Sequence, residues 1–99
     1  MILTKSQIKT LRSLAHKLKP VVRVGQHGLT ENVIKEVGYA LEFHELIKLK
    51  VNVGNRQERD EVIRKICEQT CAQNIQQIGN IAVLFRRNAQ KPVISLAKK

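Results

Sequence analysis

Gly25 and Gly28 lie three residues apart, directly after a short valine-rich run at positions 21–24. The next residues, Leu-Thr-Glu, are typical of a helix start with Thr30 as the N-cap. Glycine permits positive φ and close approach of another molecule, and the first N–H groups of a helix lack partners within the helix. Such a junction suits a phosphate group. We therefore interpret it as an anion-binding loop made of Gly25, Gln26, His27 and Gly28.

The glycine spacing alone leaves the ligand open. A strand-to-helix turn with no ligand has the same spacing. The third glycine of the dinucleotide-binding pattern is missing, and so is the Gly-Lys-Ser/Thr that closes a Walker loop. KH domains clamp a nucleic-acid backbone with a Gly-x-x-Gly loop, but that loop joins two helices. An enzyme that binds a mononucleotide through this loop remains an alternative.

The distribution of charge indicates the kind of anion. The 99 residues contain 18 Lys and Arg against 8 Asp and Glu, a net charge of +10, and the first 30 residues contain no acid. A segregated basic surface attracts polyanions, whereas mixed charges would serve only solubility. Nucleic acid is the leading interpretation, and an anionic membrane or an acidic protein is the alternative. Charge does not separate RNA from DNA.

A basic stripe is predicted on the first helix, residues 5–18. Thr4 and Gln7 have the spacing of a capping box, and residues Ile8, Leu11, Leu14, Ala15 and Leu18 form an apolar stripe at helical spacing. The opposite face carries Lys5, Lys9, Arg12 and His16. With the neighbouring strands included, we predict that RNA is contacted by Lys5, Lys9, Arg12, Lys19, Arg23, Lys48 and Lys50.

The remaining elements follow from periodicity. We predict strands at 21–24, 46–53, 75–78 and 81–87, and helices from 31 to about 44 and from 57 to 71. Gly79-Asn80 has the composition of a type II′ hairpin turn. The order αβαβαββ predicts one α/β (α+β) domain, 1–99, with a four-stranded mixed sheet and helices mainly on one face. The other face is expected to be open and polar. Residues 88–99 are predicted to be an extended tail, with 93–96 laid on the body and Lys98 and Lys99 frayed.

Other function classes find little support. Cys67 and Cys71 are expected to be free, mostly buried thiols, and no histidine has zinc-ligand spacing, so we predict no metal and no cofactor. His44 and Glu45 are sequence neighbours that point apart on a helix, so no catalytic pair is predicted. Three aromatic residues are too few for a base-stacking sheet. With no membrane span and no signal peptide, we expect a cytoplasmic protein.

Gly38 lies in the middle of the predicted second helix, where glycine is unfavourable. We expect it to mark a place where the helix packs closely against another element.

Four segments together resemble the CRM domain (chloroplast RNA splicing and ribosome maturation). They are residues 18–22, residues 25–31, residues 44–48, and the closing Ile-Gly-Asn of 78–80 with Leu-Phe-Arg of 84–86. The length of the chain is similar to that of the bacterial YhbY-type proteins, which consist of a single CRM domain. The resemblance implies RNA binding and association with ribosomal RNA in large-subunit precursors. It also implies a fold similar to the C-terminal domain of translation initiation factor 3, and it maps the RNA-contacting loop onto residues 25–28. We expect a monomer that is not an enzyme.

The chain departs from the family pattern at three places. Many relatives carry a lysine inside the loop, where this chain has Gln26 and His27, so the phosphate attraction must come from nearby Lys19, Arg23 and the first helix. Cys71 stands where relatives often have the glycine that ends the third helix. Phe85 replaces a common tyrosine.

Overall fold

The computed structural model describes residues 2–96 and contains three helices and four strands in the predicted order. In sequence order they are α1 (Lys5–Ala15), β1 (Pro20–Val24), α2 (Glu31–His44), β2 (Leu46–Val51), α3 (Arg56–Thr70), β3 (Gln73–Ile78) and β4 (Ile81–Phe85). The predicted frayed residues Lys98 and Lys99 lie outside the described part of the chain.

The four strands form one mixed sheet in the order β1-β2-β4-β3. β1 and β2 are parallel and connected through α2, whereas β4 is antiparallel to both of its neighbours. The two-residue hairpin loop begins with Gly79 at φ +57°, a conformation that glycine adopts without strain. The mixed sheet predicted from the sequence is therefore confirmed.

Side-chain caps start all three helices. In the predicted capping box of α1, the Gln7 amide donates to Thr4 Oγ1 at 3.1 Å and the Thr4 amide donates to Gln7 Oε1 at 2.9 Å. The Val33 amide donates to Thr30 Oγ1 at the start of α2. Asn55 caps α3 in the same way. Each cap satisfies a donor that the helix itself cannot.

α1 ends earlier than predicted. Residues 16–18 form tighter turns in which each amide donates to the carbonyl three residues back, and Pro20 follows. Leu14 and Leu18 were expected in the core but are 41% and 36% exposed. The apolar stripe of α1 is therefore carried by Leu11 and Ala15, which are fully buried.

Two cores lie on opposite faces of the sheet. The larger joins α2 and α3 to the sheet through Val37, Leu41, Ile63 and Ile66 among others. The smaller joins α1 to Leu46, Ile75, Val83 and Phe85. Two of the three helices thus share one face, as predicted, but the expectation that the other face is open is wrong. Alternation along β2 and β4 places apolar residues on both faces, and α1 covers those on the second.

The tail is fastened by a buried carboxylate. Glu45 is fully buried, and its carboxylate accepts hydrogen bonds from Arg87 Nη1 at 3.0 and 3.1 Å and from the amides of Asn88, Val93 and Ile94 at 2.6 to 2.7 Å. Ile94 and Leu96 pack on the α1 core. The prediction that residues 93–96 lie on the body is therefore confirmed.

Two further expectations are corrected. A methyl group added at Gly38 would meet nothing within 4 Å, so close packing does not explain this glycine; its carbonyl instead accepts from Arg86 Nη2 at 3.1 Å. Cys67 and Cys71 are free thiols, but Cys71 is exposed and not buried. It ends α3 at φ +61°, the left-handed conformation usual for a glycine there.

Candidate nucleic-acid interface

The Gly-x-x-Gly loop follows the carboxyl end of β1 and is open to solvent. Gly25, Gln26 and His27 are exposed. The Gly28 amide donates to the Gly25 carbonyl at 2.9 Å, and Gly28 adopts φ +71°. An added Cβ at either glycine would meet nothing within 4 Å, so the loop surface is free for another molecule. Gly28 is needed for the turn conformation, whereas Gly25 is not in the left-handed region.

Several main-chain donors of the junction are already used. The Gly28 amide closes the turn, and the Val33 amide is capped by Thr30. Glu31 adds a negative charge in the first turn of α2, where it stabilises the helix and opposes an incoming phosphate. The loop therefore gives an anion room to approach the main chain but supplies little positive charge. The attraction of an anion must come from cationic side chains elsewhere.

Such side chains converge from α1 and the sheet. Because Leu46 belongs to the α1 core and Ile47 and Leu49 to the other core, alternation places Lys48 and Lys50 on the α1 side of β2. Arg12, His16 and Lys48 line one cavity of about 170 Å³. Lys50 is paired in register with Arg23, two residues before Gly25.

We call this surface the basic track. It extends from the exposed face of α1 over the open part of the sheet to the loop, and its residues are Lys5, Lys9, Arg12, His16, Lys48, Lys50 and Arg23. Of the predicted contacts, Arg12, Arg23, Lys48 and Lys50 lie on the α1 side of the sheet, and Lys5 and Lys9 are exposed on α1 itself.

The basic track lacks acidic neighbours. Of the eight acids, seven lie on α2 and α3, and the eighth is the buried Glu45, whereas α1 and the four strands contain none. The ion pairs found between residues 2 and 96 involve Arg64, Lys65, Arg86 and Arg87, and none involves a residue of the track. Its cations are therefore available to an external anion.

Lys19 is not part of this arrangement. It precedes β1, while the loop follows it, and five residues of strand separate the two by roughly 16 Å. Lys19 instead borders an apolar groove with Leu14, Leu18 and Val93. The expectation that Lys19 supplies charge next to the loop is wrong, because an extended strand keeps its two ends apart.

The described residues form no metal site, and the buried Glu45 has a structural role. No group of three His, Cys, Asp or Glu side chains among residues 2–96 is placed to hold a metal ion. Burial would raise the pKa of Glu45, but hydrogen bonds from Ile94, Asn88, Val93 and Arg87 outweigh it and keep that pKa below its usual range. Glu45 is thus a structural anion. None of the described helices has the length and apolarity of a membrane span.

Sequence reasoning missed one cationic cluster. Arg56 and Arg59 were not singled out from the sequence, and the structure places both at a cavity beside the β3–β4 turn. No sequence signal marks them, because the turn that completes the cavity lies some twenty residues away along the chain.

A mixed four-stranded sheet with an acid-free cationic face defines a small α/β domain suited to polyanions. Residues 3–86 match the model of the CRS1/YhbY (CRM) domain, and the chain belongs to this family.

The relatives and a solved structure agree with this assignment. The chain is 41% identical to the probable RNA-binding protein PA4753 of Pseudomonas aeruginosa, over 89% of this chain and 85% of that protein. It is 42% identical to an RNA-binding protein of Haemophilus influenzae, over 92% of each. The solution structure of protein SAV1595 from Staphylococcus aureus superposes with a TM-score of 0.81 at 35% identity, covering 97% of this chain and all of that one. The predicted α/β fold with a four-stranded mixed sheet is therefore shared with a solved structure.

Proposed function

We propose that this protein binds ribosomal RNA in precursors of the large ribosomal subunit, as a cytoplasmic monomer and without catalysis. The observation that carries the proposal is the basic track, a row of cations without ion-pair partners that ends at an open Gly-x-x-Gly loop. RNA binding is supported by family membership and by the names of the relatives. The ribosomal target and the assembly role rest on the resemblance described above.

The track and the loop have different parts in this proposal. Lysines and arginines neutralise phosphates and release counterions, which supplies affinity without sequence preference. The loop lets the RNA backbone approach the main chain closely, because neither glycine carries a side chain. Gln26 and His27 stand on the exposed tip, where they can donate to phosphate or ribose oxygens. Recognition is thus of backbone shape more than of base sequence.

Crosslinking in cells, followed by sequencing of the bound RNA, tests the class of partner and the target together. We expect crosslinks to concentrate in large-subunit ribosomal RNA and its precursors. Crosslinks confined to messenger RNA would contradict the ribosomal target, and an absence of crosslinked RNA would contradict the proposal as a whole. Calorimetric titration with ATP and GTP provides the test of the mononucleotide alternative, and we expect no binding.

A further inference from the structure

A second cationic cavity lies away from the basic track. It has a volume of about 430 Å³, and it opens between the first turn of α3 and the β3–β4 turn. Its lining residues are Arg56, Arg59, Asp60, Gln77 and Gly79. Two guanidinium groups therefore border a space wide enough for a phosphate group.

One of these guanidinium groups is incompletely satisfied. Arg59 Nε is buried and donates to no acceptor, the one buried side-chain nitrogen or oxygen in this condition between Ile2 and Leu96. A buried donor without an acceptor is costly, and more so when it belongs to a charged group, so native proteins rarely leave one without a function. Arg59 also lines the cavity, so the guanidinium group that carries this unsatisfied nitrogen is next to the space that an anion would occupy.

Asp60 also lines the cavity but forms an ion pair with neither arginine. Asp60 Oδ1 accepts from Gln77 Nε2 at 2.6 Å. Neither Arg56 nor Arg59 takes part in an ion pair of the described residues, although Arg64 and Lys65 on the same helix do. The dipole of α3 does not offset the two positive charges, since the positive end of a helix is its N-terminus. The cavity is therefore attractive to an anion.

The cavity lies at the same end of the sheet as the Gly-x-x-Gly loop. The Asn52 amide donates to the Val24 carbonyl, just before the loop, and the Val51 amide donates to the Asn80 carbonyl in the hairpin turn. The side chains of Asn52 and Asn80 are hydrogen-bonded to each other between these points. At about 4.8 Å per strand spacing, the loop and the turn are separated by roughly 10 to 14 Å.

We propose that this cavity binds a phosphate group of the bound RNA, so that the RNA backbone runs from the loop across Asn52 and Asn80 to Arg56 and Arg59. This rests on the proposed RNA binding and extends it by a second contact. Arginine presents a planar fork of donors that fits phosphate oxygens in a bidentate manner. The polar cavity offers no aromatic surface for a base, which favours phosphate over nucleobase as the ligand.

The test compares the RNA affinity of three variants, each of which replaces one arginine of α3 and so removes one positive charge. Arg59→Gln and Arg56→Gln are measured against Arg64→Gln, whose guanidinium is already occupied by Glu61 and Glu68. We expect the dependence of log K on log salt to become shallower by about 0.7 to 0.9 in each of the first two variants and to stay unchanged in the third. Arg56 is exposed, so its replacement leaves the fold intact even if that of Arg59 does not.

A second readout follows Arg59 itself. In a ¹⁵N-labelled wild-type protein, the Arg59 Nε–H resonance is expected to shift on addition of RNA, while that of Arg64 stays in place. Wild-type RNA binding with equal salt dependence in all three variants would overturn the second contact and leave the proposed function standing. Failure of the wild-type protein to bind RNA would overturn both. A shift with inorganic phosphate but none with RNA would assign the cavity to a free anion and contradict the proposal.

Discussion

The basic track and the second half of α3 both carry cations but use them differently. On α3, Arg64 lies within reach of Glu61 and Glu68, and Lys65 of Glu61, at i, i+3 and i, i+4 spacing. Hydrogen bonding and the charge of Arg64 lower the pKa of Glu61. Along the track, α1, β1 and β2 contain no acid at any spacing. The comparison teaches that the absence of partners, and not the number of positive charges, distinguishes a binding face from a solvated one.

A third group of cations holds the fold together. Arg86 donates to the Thr70 and Gly38 carbonyls and to Glu42, joining the ends of α3 and α2. Arg87 donates to the buried Glu45 carboxylate and to the Ile94 carbonyl. The net charge of +10 therefore comprises free, surface-paired and structural cations, each with its own response to mutation.

The largest effect is expected where a structural ion pair is broken. Glu45→Ala removes the acceptor of Arg87 and of three main-chain amides, and should lower the free energy of unfolding by about 3 kcal/mol or more. Urea denaturation measures this. Glu42→Ala is the matched control, because the Glu42 carboxylate, in the last turn of α2, is largely exposed and accepts from the side chains of Arg86 and Asn88 but from no main-chain amide of the tail. Equal effects of the two variants would show that the tail is not held by Glu45.

The same carboxylate predicts a pH dependence. The pKa of Glu45 is lower in the folded protein than the usual 4.5, so the folded state binds this proton more weakly than the unfolded state. Its stabilising contribution is complete above about pH 4.5 and is lost as the pH falls through the lower, folded value. Thermal melts from pH 6 down to pH 3 should show this loss in the wild type and a smaller loss in Glu45→Ala.

The free and paired cations are compared directly by two double variants that remove the same charge. Arg12→Gln with Lys50→Gln should make the salt dependence of RNA affinity shallower by about 1.4 to 1.8, as expected for two lost phosphate contacts. Arg64→Gln with Lys65→Gln should leave it unchanged. Fluorescence anisotropy at several salt concentrations measures both. Equal losses would mean that net charge alone drives binding and that the track is not the interface.

Smaller effects are expected in the loop, where replacing Gly28 should affect stability and replacing Gly25 should affect RNA binding. Gly28→Ala places a side chain at φ +71° and should cost about 1 to 2 kcal/mol of stability, whereas Gly25→Ala should change stability little. Gly25→Ala should nevertheless weaken RNA binding, because a methyl group then stands where the backbone of the RNA approaches. If Gly25→Ala binds RNA as well as the wild type, close main-chain approach at this position is excluded.

The smallest effect concerns α3, which lies outside the track. Cys71→Gly relieves the left-handed strain at φ +61° and should stabilise the protein by about 0.5 to 1 kcal/mol after the entropic cost of glycine. RNA affinity should not change. Thermal denaturation and one binding curve are sufficient, and a destabilised variant would show that the Cys71 side chain contributes more packing than strain.

Local features of the fold could be predicted from the sequence. The Thr4–Gln7 capping box, the Thr30 cap and the Gly79-Asn80 turn each depend on residues that are close in sequence, and each is present. The side of the sheet covered by α1 could not be predicted, because Lys48 and Lys50 suggested a polar face while Leu46 and Phe85 make part of the same face apolar. Periodicity indicates which residues alternate, but not which helix will cover them.

The candidate site could likewise be predicted only in its local features. The loop and the α1 stripe could be predicted because spacing alone defines them. The separation of Lys19 from the loop and the use of the Gly28 amide within the turn are local, and both follow from the predicted strand and turn. The cavity of Arg56 and Arg59 depends on a contact between distant segments. Glu45 likewise lies more than forty residues from the groups that it binds. Contacts between residues so far apart in the sequence leave no periodic pattern from which they could be predicted.

The central claim is that RNA binds on the face formed by α1, β2 and the Gly-x-x-Gly loop. Mapping amide chemical shifts of the ¹⁵N-labelled protein during titration with a ribosomal RNA fragment tests it most directly. We expect the shifts to concentrate at residues 25–28, at Arg12 and His16, and at Lys48 to Lys50, while α2 beyond its first turn and the second half of α3 stay unchanged. Shifts confined to the outer surfaces of α2 and α3, with the loop unaffected, would contradict the account.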